Sequence, residues 1–337
     1  MPLRLTSAPV SGLKNRKSSA PRPRGSPFAG HARRKPNTQP GGVKKAAASH
    51  AADDDEQPLP DTGVSQYIPE TASVEDVVQA IESIRDTMFE EVPQRAGMNS
   101  TRIAQVLTLR RSLPPLASVA HVHTLLNGPT RVEKEIFELV TSGRVKRLVV
   151  PGRGTDAAGL GDCLVLAEDL EQLVRQSDLN EHLQVDKFLQ TISKDTSIPT
   201  GAFAPDEYLA LVRAGFLVSG RGAPPTSVSL SLPNTGPYLR LLSAGRNHLV
   251  ALLRKSSYNE APLELLRDRW DGAVESERSF SVAKRARGEF AGILPGKTKK
   301  WRELYGISFR WAVEEALGAG VIEIFDTGSV GVGVRLL

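Results

Sequence analysis

The 337-residue sequence predicts an α+β chain, mainly α with small β-hairpins, arranged as three tandem winged-helix modules. One corner recurs: "IFELVTSGRVKRLVV" at 136–150, "YLALVRAGFLVSG" at 208–220 and "VEEALGAGVIEIF" at 313–325. Each copy is an apolar helix face, a small residue, a glycine and then a strand. A second strand follows each corner and one or two helices precede it, which is the order of a winged helix-turn-helix. Strands are too few for a parallel sheet, the other common home of helix-to-strand corners.

The elements can be taken in order. Residues 1–66 are rich in Pro, Gly, Ser, Ala and Arg and lack periodic apolar residues, so they are expected to form a disordered basic tail. The first module, 67–177, has helical spacing in "VEDVVQAIESIRDTMFEEV" (74–92) and "TRIAQVLTL" (101–109). "TRVE" (130–133) reads as a capping box, with Thr130 accepting from the backbone and Glu133 reaching back. Val132, Ile136, Leu139 and Val140 then form one apolar face up to Gly143, a left-handed helix stop. "RVKRLVV" and "DCLVLA" (162–167) make a hairpin around the glycine-rich tip "PGRGTDAAGLG".

The second module, 178–256, starts with "VDKFLQTI" (185–192) and turns at Gly215, after Tyr208, Leu211 and Val212. "FLV" then pairs with "SVSLSL" (227–232), in which Val228, Leu230 and Leu232 alternate with serine as in a half-buried strand. The third module, 257–337, opens with "APLELLRDRW" (261–270). Phe309, Val313, Ala316 and Leu317 form its last helix face, Gly320 its corner, and "VIEIF" and "VGVGVRL" (330–336) flank the turn "DTGS". The corner glycines lie 72 and then 105 residues apart, and the excess of 33 matches a polar, basic insertion at about 271–300.

Charge is segregated along the chain. Residues 1–50 hold 11 Lys/Arg and no acid, 51–239 are net −10, 240–311 are net +7 and 312–337 are net −3. Two positive blocks point to a polyanion or an acidic partner. The basic runs "KNRK" (14–17), "HARRKP" (31–36) and "VKK" (43–45) have the form of a split nuclear-import signal or a nucleic-acid arm. A single cysteine, Cys163, excludes an intramolecular disulfide and fits a reducing compartment. No apolar run is long enough to span a bilayer, so no membrane role is expected.

Catalytic motifs are missing. "PGRGTDAAGLG" is glycine-rich, but no V-A-I-K lysine follows it, and H-R-D and D-F-G do not occur, so the chain is not expected to be an enzyme. "GILPGKTKK" (292–300) leaves three residues, not four, between Gly292 and Gly296, and no strand precedes it; it reads as an exposed basic loop. In that loop Lys297, Lys299, Lys300 and Arg302 are candidate phosphate contacts. "HVH" (121–123) has no ligand set at metal spacing, and no metal or cofactor is expected.

The best binding candidate is the helix that opens at "PNTGPYLRLL". Tyr238, Leu241, Leu242, Leu249, Leu252 and Leu253 form its buried face. Arg240, Asn247 and Arg254 recur every seven residues on the opposite side, with Lys255 beside them. Guanidinium forks match phosphate oxygens, so this stripe suits a nucleic-acid backbone. In the third module Ser308 and Arg310 are placed on the outer side of the last helix, where Glu314 and Glu315 disfavour deep groove reading. The first module's equivalent helix carries Glu133, Glu135 and Glu138 and is expected to meet protein.

From about residue 130 to the C-terminus the chain resembles the serine/threonine-protein kinase 19 family. The resemblance rests on "RVEKEIFELVTSGRVKRLVV", "VLAEDL", "YLALVRAGFLV", "AGRNHLVALLRKSSYNEAPLELL" and "LGAGVIEIFDTGSVGVGVRL". It implies a triple winged-helix DNA-binding protein of nucleus and chromatin, in transcription-coupled nucleotide excision repair. Such a protein bridges the RNA polymerase II repair complex and a helicase-containing transcription factor. Arg246, Arg254 and Lys255 match family positions, the last two within its DNA-contacting run, and Arg267 and Arg269 fall near a basic pair. Ser257 stands where animal members carry another lysine, and the insertion is longer here. The expectation is a nuclear monomer that binds duplex DNA without sequence preference. The alternatives are a winged-helix scaffold that contacts an acidic protein, and the kinase that the family name describes.

Overall fold

The corner glycines have φ of 78° at Gly143, 87° at Gly215 and 64° at Gly320. This left-handed region is open to glycine and costs a Cβ-bearing residue free energy, so the same residue type stops the helix three times. At Gly143 and Gly320 an added Cβ would meet nothing within 4 Å, so backbone conformation alone demands glycine. These features belong to a computed structural model that describes residues 58–65, 74–93, 97–150, 161–177, 179, 185–194, 197–218, 227–272, 293–328 and 330–337. The basic motifs of the tail, the first wing tip at 151–160 and most of the insertion lie outside the described residues.

The first module contains α1 (Val77–Thr87), α2 (Ser100–Ser112), β2 (Ala117–Ser118), α3 (Val119–Leu126), α4 (Pro129–Thr141), β3 (Val145–Val149) and β4 (Asp162–Leu166). Helix α5 (Ala167–Gln176) leads to the second module: α6 (Val185–Lys194), β5 (Ser197–Pro199), α7 (Pro205–Ala214), β6 (Leu217–Val218) and β7 (Ser227–Leu230). Then come α8 (Thr235–Leu253), β8 (Glu260–Pro262), α9 (Leu263–Asp271), the short α10 (Lys299–Arg302), α11 (Phe309–Gly318), β9 (Ile322–Asp326) and β10 (Val332–Leu336).

One sheet plan is used three times. A short strand before the corner pairs antiparallel with the last strand of the hairpin, giving the orders β2-β4-β3, β5-β7-β6 and β8-β10-β9. The predicted hairpins are present, with registers such as Val145↔Leu166, Leu217↔Leu230 and Val334↔Ile324. A further strand, β1 (Gly63–Val64), lies along β9 with Gly63 opposite Asp326. Composition assigned these residues to the tail; here Arg335 bridges Asp61 and Glu323, and the Leu59 amide donates to Glu260.

The capping box at 130–133 is not formed. Helix α4 begins two residues earlier than a Thr130 cap would start it, at Pro129 on Gly128, with no side-chain cap. Proline at the first helical position brings its own preset φ and no amide to satisfy, so Thr130 is already inside the helix. The Glu133 carboxylate turns instead to His123 Nε2 at 3.1 Å and Arg147 at 3.2 Å.

Apolar faces at helical spacing fill one continuous core. Val77, Ala80, Ile81 and Ile84 of α1 are buried, and the Ile84 carbonyl accepts from the indole of Trp311 at 2.8 Å. Helix α11 packs on both α3 and α8, so the first and third modules share their interior. A bridge between Phe89 and Ile307, with Ser308 N donating to Met88 O, joins them again. The second module centres on Phe188, whose ring lies 5.8 Å from Phe203 and 6.0 Å from Phe216.

The corner glycines make a graded prediction. Gly143→Ala should lower unfolding free energy by about 1–2 kcal/mol, the usual cost of left-handed φ for a residue with a Cβ. Gly215→Ala should cost more, because its Cβ would also lie 3.3 Å from Pro233 Cα. Urea denaturation of the two variants tests the ranking.

Candidate nucleic-acid interface

Helix α8 is nineteen residues long and two-faced. Tyr238, Leu239, Leu241, Leu242, Leu249, Leu252 and Leu253 are buried, while Arg240, Asn247 and Arg254 are exposed, as the seven-residue recurrence predicted. The helix starts on Asn234, which has a left-handed φ of 63° and donates through Nδ2 to Ser112 O at the end of α2. It ends at Arg254, followed by exposed Lys255.

Neighbouring elements add cations at that end. The Arg269 guanidinium, on α9, donates to Leu252 O and to Ser256 Oγ at 2.9 Å, which fixes it against the C-terminus of α8. A positive side chain there also complements the last helix carbonyls. Arg267 lies 5.7 Å from the Phe309 ring and 3.4 Å from Glu264. Lys299 is exposed and 3.7 Å from Glu303, a weak solvent-screened pair, and Lys297 and Arg302 are also exposed.

His248 ties α8 to α9. Its ring packs 5.0 Å from Trp270, and burial, with Lys299 and then Lys255 near it and Glu303 opposing, brings its pKa down to about 4. The imidazole is therefore neutral at physiological pH, and Lys255 and Lys299 share its neighbourhood.

Three predicted contacts are placed differently. Arg246 is 5% exposed and lies inside the protein, with Nε donating to Glu315 at 3.1 Å. Lys300 is 4% exposed, held between Glu90 and Asp271 at 2.6 Å each, and the predicted basic loop is a helical turn there. Arg310 is half-buried and binds Glu314 at 2.8 Å. Arginines and lysines in a positive block look alike in sequence; Arg246 and Lys300 have carboxylates waiting on other elements, and Arg310 has one a turn along its own helix.

Two of those carboxylates, Glu314 and Glu315, belong to the contact that seals α11. Glu314 is 2% and Glu315 1% exposed, both facing α3. His121 Nε2 lies 3.1 Å from Glu314, and the Ser118 hydroxyl donates to Glu315. Thr124 Oγ1 donates to Glu314 O at 2.9 Å, and a Cβ on Gly318 would fall 1.9 Å from Ala120 O. Trp311 packs edge-on to His121. The third module's recognition helix thus faces protein. In the first module α4 buries only Val132 and Ile136 and leaves Phe137 70% exposed, beside Glu133 and Glu138.

The sequence reading did not select α2. Its Arg110 donates to Tyr305 O and Glu90 O and stacks 4.6 Å from Phe89, a structural clamp between modules. Arg111 next to it is exposed, one residue from the Ser112 carbonyl that Asn234 grips. The only signal was a paired arginine in a last helical turn, which is equally a response to the helix dipole. Among the described residues no group of three or more His, Cys, Asp or Glu is placed to hold a metal ion.

Comparison with known proteins gives two findings. A family model described as inactive serine-threonine protein kinase 19 matches residues 85–336. Winged helix repair factor 1 of Mus musculus is 27% identical over 206 residues, 56% of this chain and 78% of the mouse protein. Its Homo sapiens counterpart of the same name is 26% identical over 166 residues, 46% of this chain and 62% of the human one.

Two measurements separate buried from surface cations. Arg246→Met should destabilise by about 3–5 kcal/mol, because Glu315 is left buried and uncompensated, whereas Arg254→Met should change stability by less than about 0.5 kcal/mol. For His248 the unfolded chain takes up a proton near 6.5 and the folded chain only near 4. Stability should therefore fall as pH drops from 6.5 towards 4, and His248→Phe should flatten that part of the profile in urea denaturation.

Proposed function

The chain belongs to the inactive serine-threonine protein kinase 19 family, and on that premise we propose that this winged-helix, repair-related protein is a nuclear DNA-binding factor. It binds duplex DNA without reading sequence and scaffolds transcription-coupled nucleotide excision repair. Its partners in that role are the RNA polymerase II repair complex and the helicase-containing transcription factor, which it meets as a monomer.

The observation that carries this reading is the cationic surface on and around α8. Arg240, Asn247 and Arg254 line one exposed face, and Lys255, Arg269 and Lys299 gather at its end. Half-buried Arg267 on α9 and exposed Lys297 and Arg302 are further cations of the same positive block, and exposed Arg111 lies next to Ser112, which Asn234 at the start of α8 grips. Such a surface neutralises phosphates; with α11 turned inwards, the third module offers no recognition helix to base edges. We take α8, which the sequence division at 178–256 put in the second module, as the opening helix of the third, because it packs on α9, α11 and β10.

The scaffold reading has its own support in Phe137, a large apolar side chain on an otherwise acidic helix. It applies to the first module and coexists with DNA binding by the third. For kinase activity the family description "inactive" agrees with the missing V-A-I-K, H-R-D and D-F-G motifs. Among the described residues no helix is long and apolar enough to cross a membrane.

Duplex binding by the full chain, titrated with salt, is the test. If about four phosphates are neutralised, log affinity should fall against log salt with a slope near −3.6. Arg254→Glu with Lys255→Glu should weaken binding at least roughly tenfold and flatten the slope by about two contacts. Unchanged affinity and slope in that variant would remove the surface. Random and defined duplexes should bind alike.

A further inference from the structure

The turn that follows α8 contains a serine with the surroundings of a phosphorylation site. Ser257 is exposed in the connection between α8 and β8, a segment with no regular pairing of its own. Arg254 precedes it by three residues and Lys255 by two, and Tyr258, 48% exposed, follows it. Kinases read substrates largely by charge pattern, and cations at these two places with a large apolar residue next suit an acidic substrate groove. Its neighbour Ser256 is less available, since Ser256 Oγ accepts from Arg269 at 2.9 Å and its amide donates to Leu253 O.

We propose that Ser257 is the acceptor of an arginine-directed protein kinase and that its phosphate switches off the cationic surface of α8. This rests on the reading of that surface as the DNA-binding face. In the transfer the Ser257 hydroxyl oxygen attacks the γ-phosphorus of ATP, the new O–P bond forms, and the bond to the β–γ bridging oxygen breaks. ADP leaves, and the hydroxyl proton passes to the kinase's catalytic carboxylate. The product carries about −1.5 to −2 charges near neutral pH and three acceptor oxygens. Arg254 and Lys255 are three and two residues away, and Arg269 already reaches the adjacent hydroxyl. The phosphate would occupy, from within the chain, the cations that otherwise meet the nucleic-acid backbone.

The four residues RKSS occur at 254–257 and again at 16–19, so the test uses a Ser19→Ala background. The full chain is treated with ATP and the catalytic subunit of cyclic-AMP-dependent protein kinase, and the modified residue is located by peptide mass spectrometry. Phosphate on Ser257 is expected, with roughly tenfold weaker duplex binding and a salt slope reduced by about two contacts. Ser257→Ala, treated alike, should keep the affinity and the urea midpoint of the untreated chain. Absence of phosphate at Ser257 overturns the inference. So does a phosphorylated chain that binds unchanged while Arg254→Glu with Lys255→Glu weakens binding, and in that case the surface itself stands. If the unmodified chain shows no salt-dependent duplex binding, the surface reading fails and the switch falls with it.

Discussion

The contact between α3 and α11 is the constraint around which the rest is arranged. Two glutamates in succession, Glu314 and Glu315, are withdrawn from water, and each must find partners or lose the free energy of its hydration. Arg246 and Ser118 answer Glu315; His121 and Arg310 answer Glu314. The partners come from three places: the strand before α3 and α3 itself, α8, and α11. A network of this kind contributes less to net stability than an apolar patch of equal size, but it tolerates few alternative dockings. Gly318, lying under the Ala120 carbonyl, sets how closely the two helices approach.

That docking decides which surfaces are left for function. With α11 committed to α3, positive charge is displayed from the outer face of α8 and from the short elements that follow it. The inner face of α8 supplies Arg246 to the network and its outer face supplies Arg240, Asn247 and Arg254. One helix therefore holds the modules together and presents the cations. Lys300 behaves like Arg246: its ammonium is used up between Glu90 and Asp271, while Lys297, Lys299 and Arg302 around it stay exposed.

What the sequence made legible follows from how local each cause is. Glycine at a left-handed φ is a one-residue requirement, and Gly143, Gly215 and Gly320 could be read directly. The two faces of α8 follow from a period of 3.6 within nineteen residues. The strands β2, β5 and β8 are two or three residues long, too short to show alternation, and exist because the wing strands beside them need partners. The roles of Arg246 and Lys300 were hidden for a related reason. Their carboxylates lie 69 and 29 residues away in sequence, and no local pattern marks such a pair. The capping box failed by competition, since Pro129 fixed the helix start before Thr130 could cap it.

Repetition of a winged helix three times does not multiply groove reading here. In one copy the recognition helix is consumed by the interface between modules. In another it carries acids and an exposed Phe137, a combination repelled by phosphates and suited to protein. Three similar sheets form the frame, and differences in side-chain charge give each copy a different face. A frame of this kind favours a protein that holds nucleic acid by its backbone and a partner by an apolar anchor at the same time. On the proposed reading the two contacts would lie on separate elements, α8 and α4, so neither would have to be broken for the other to form.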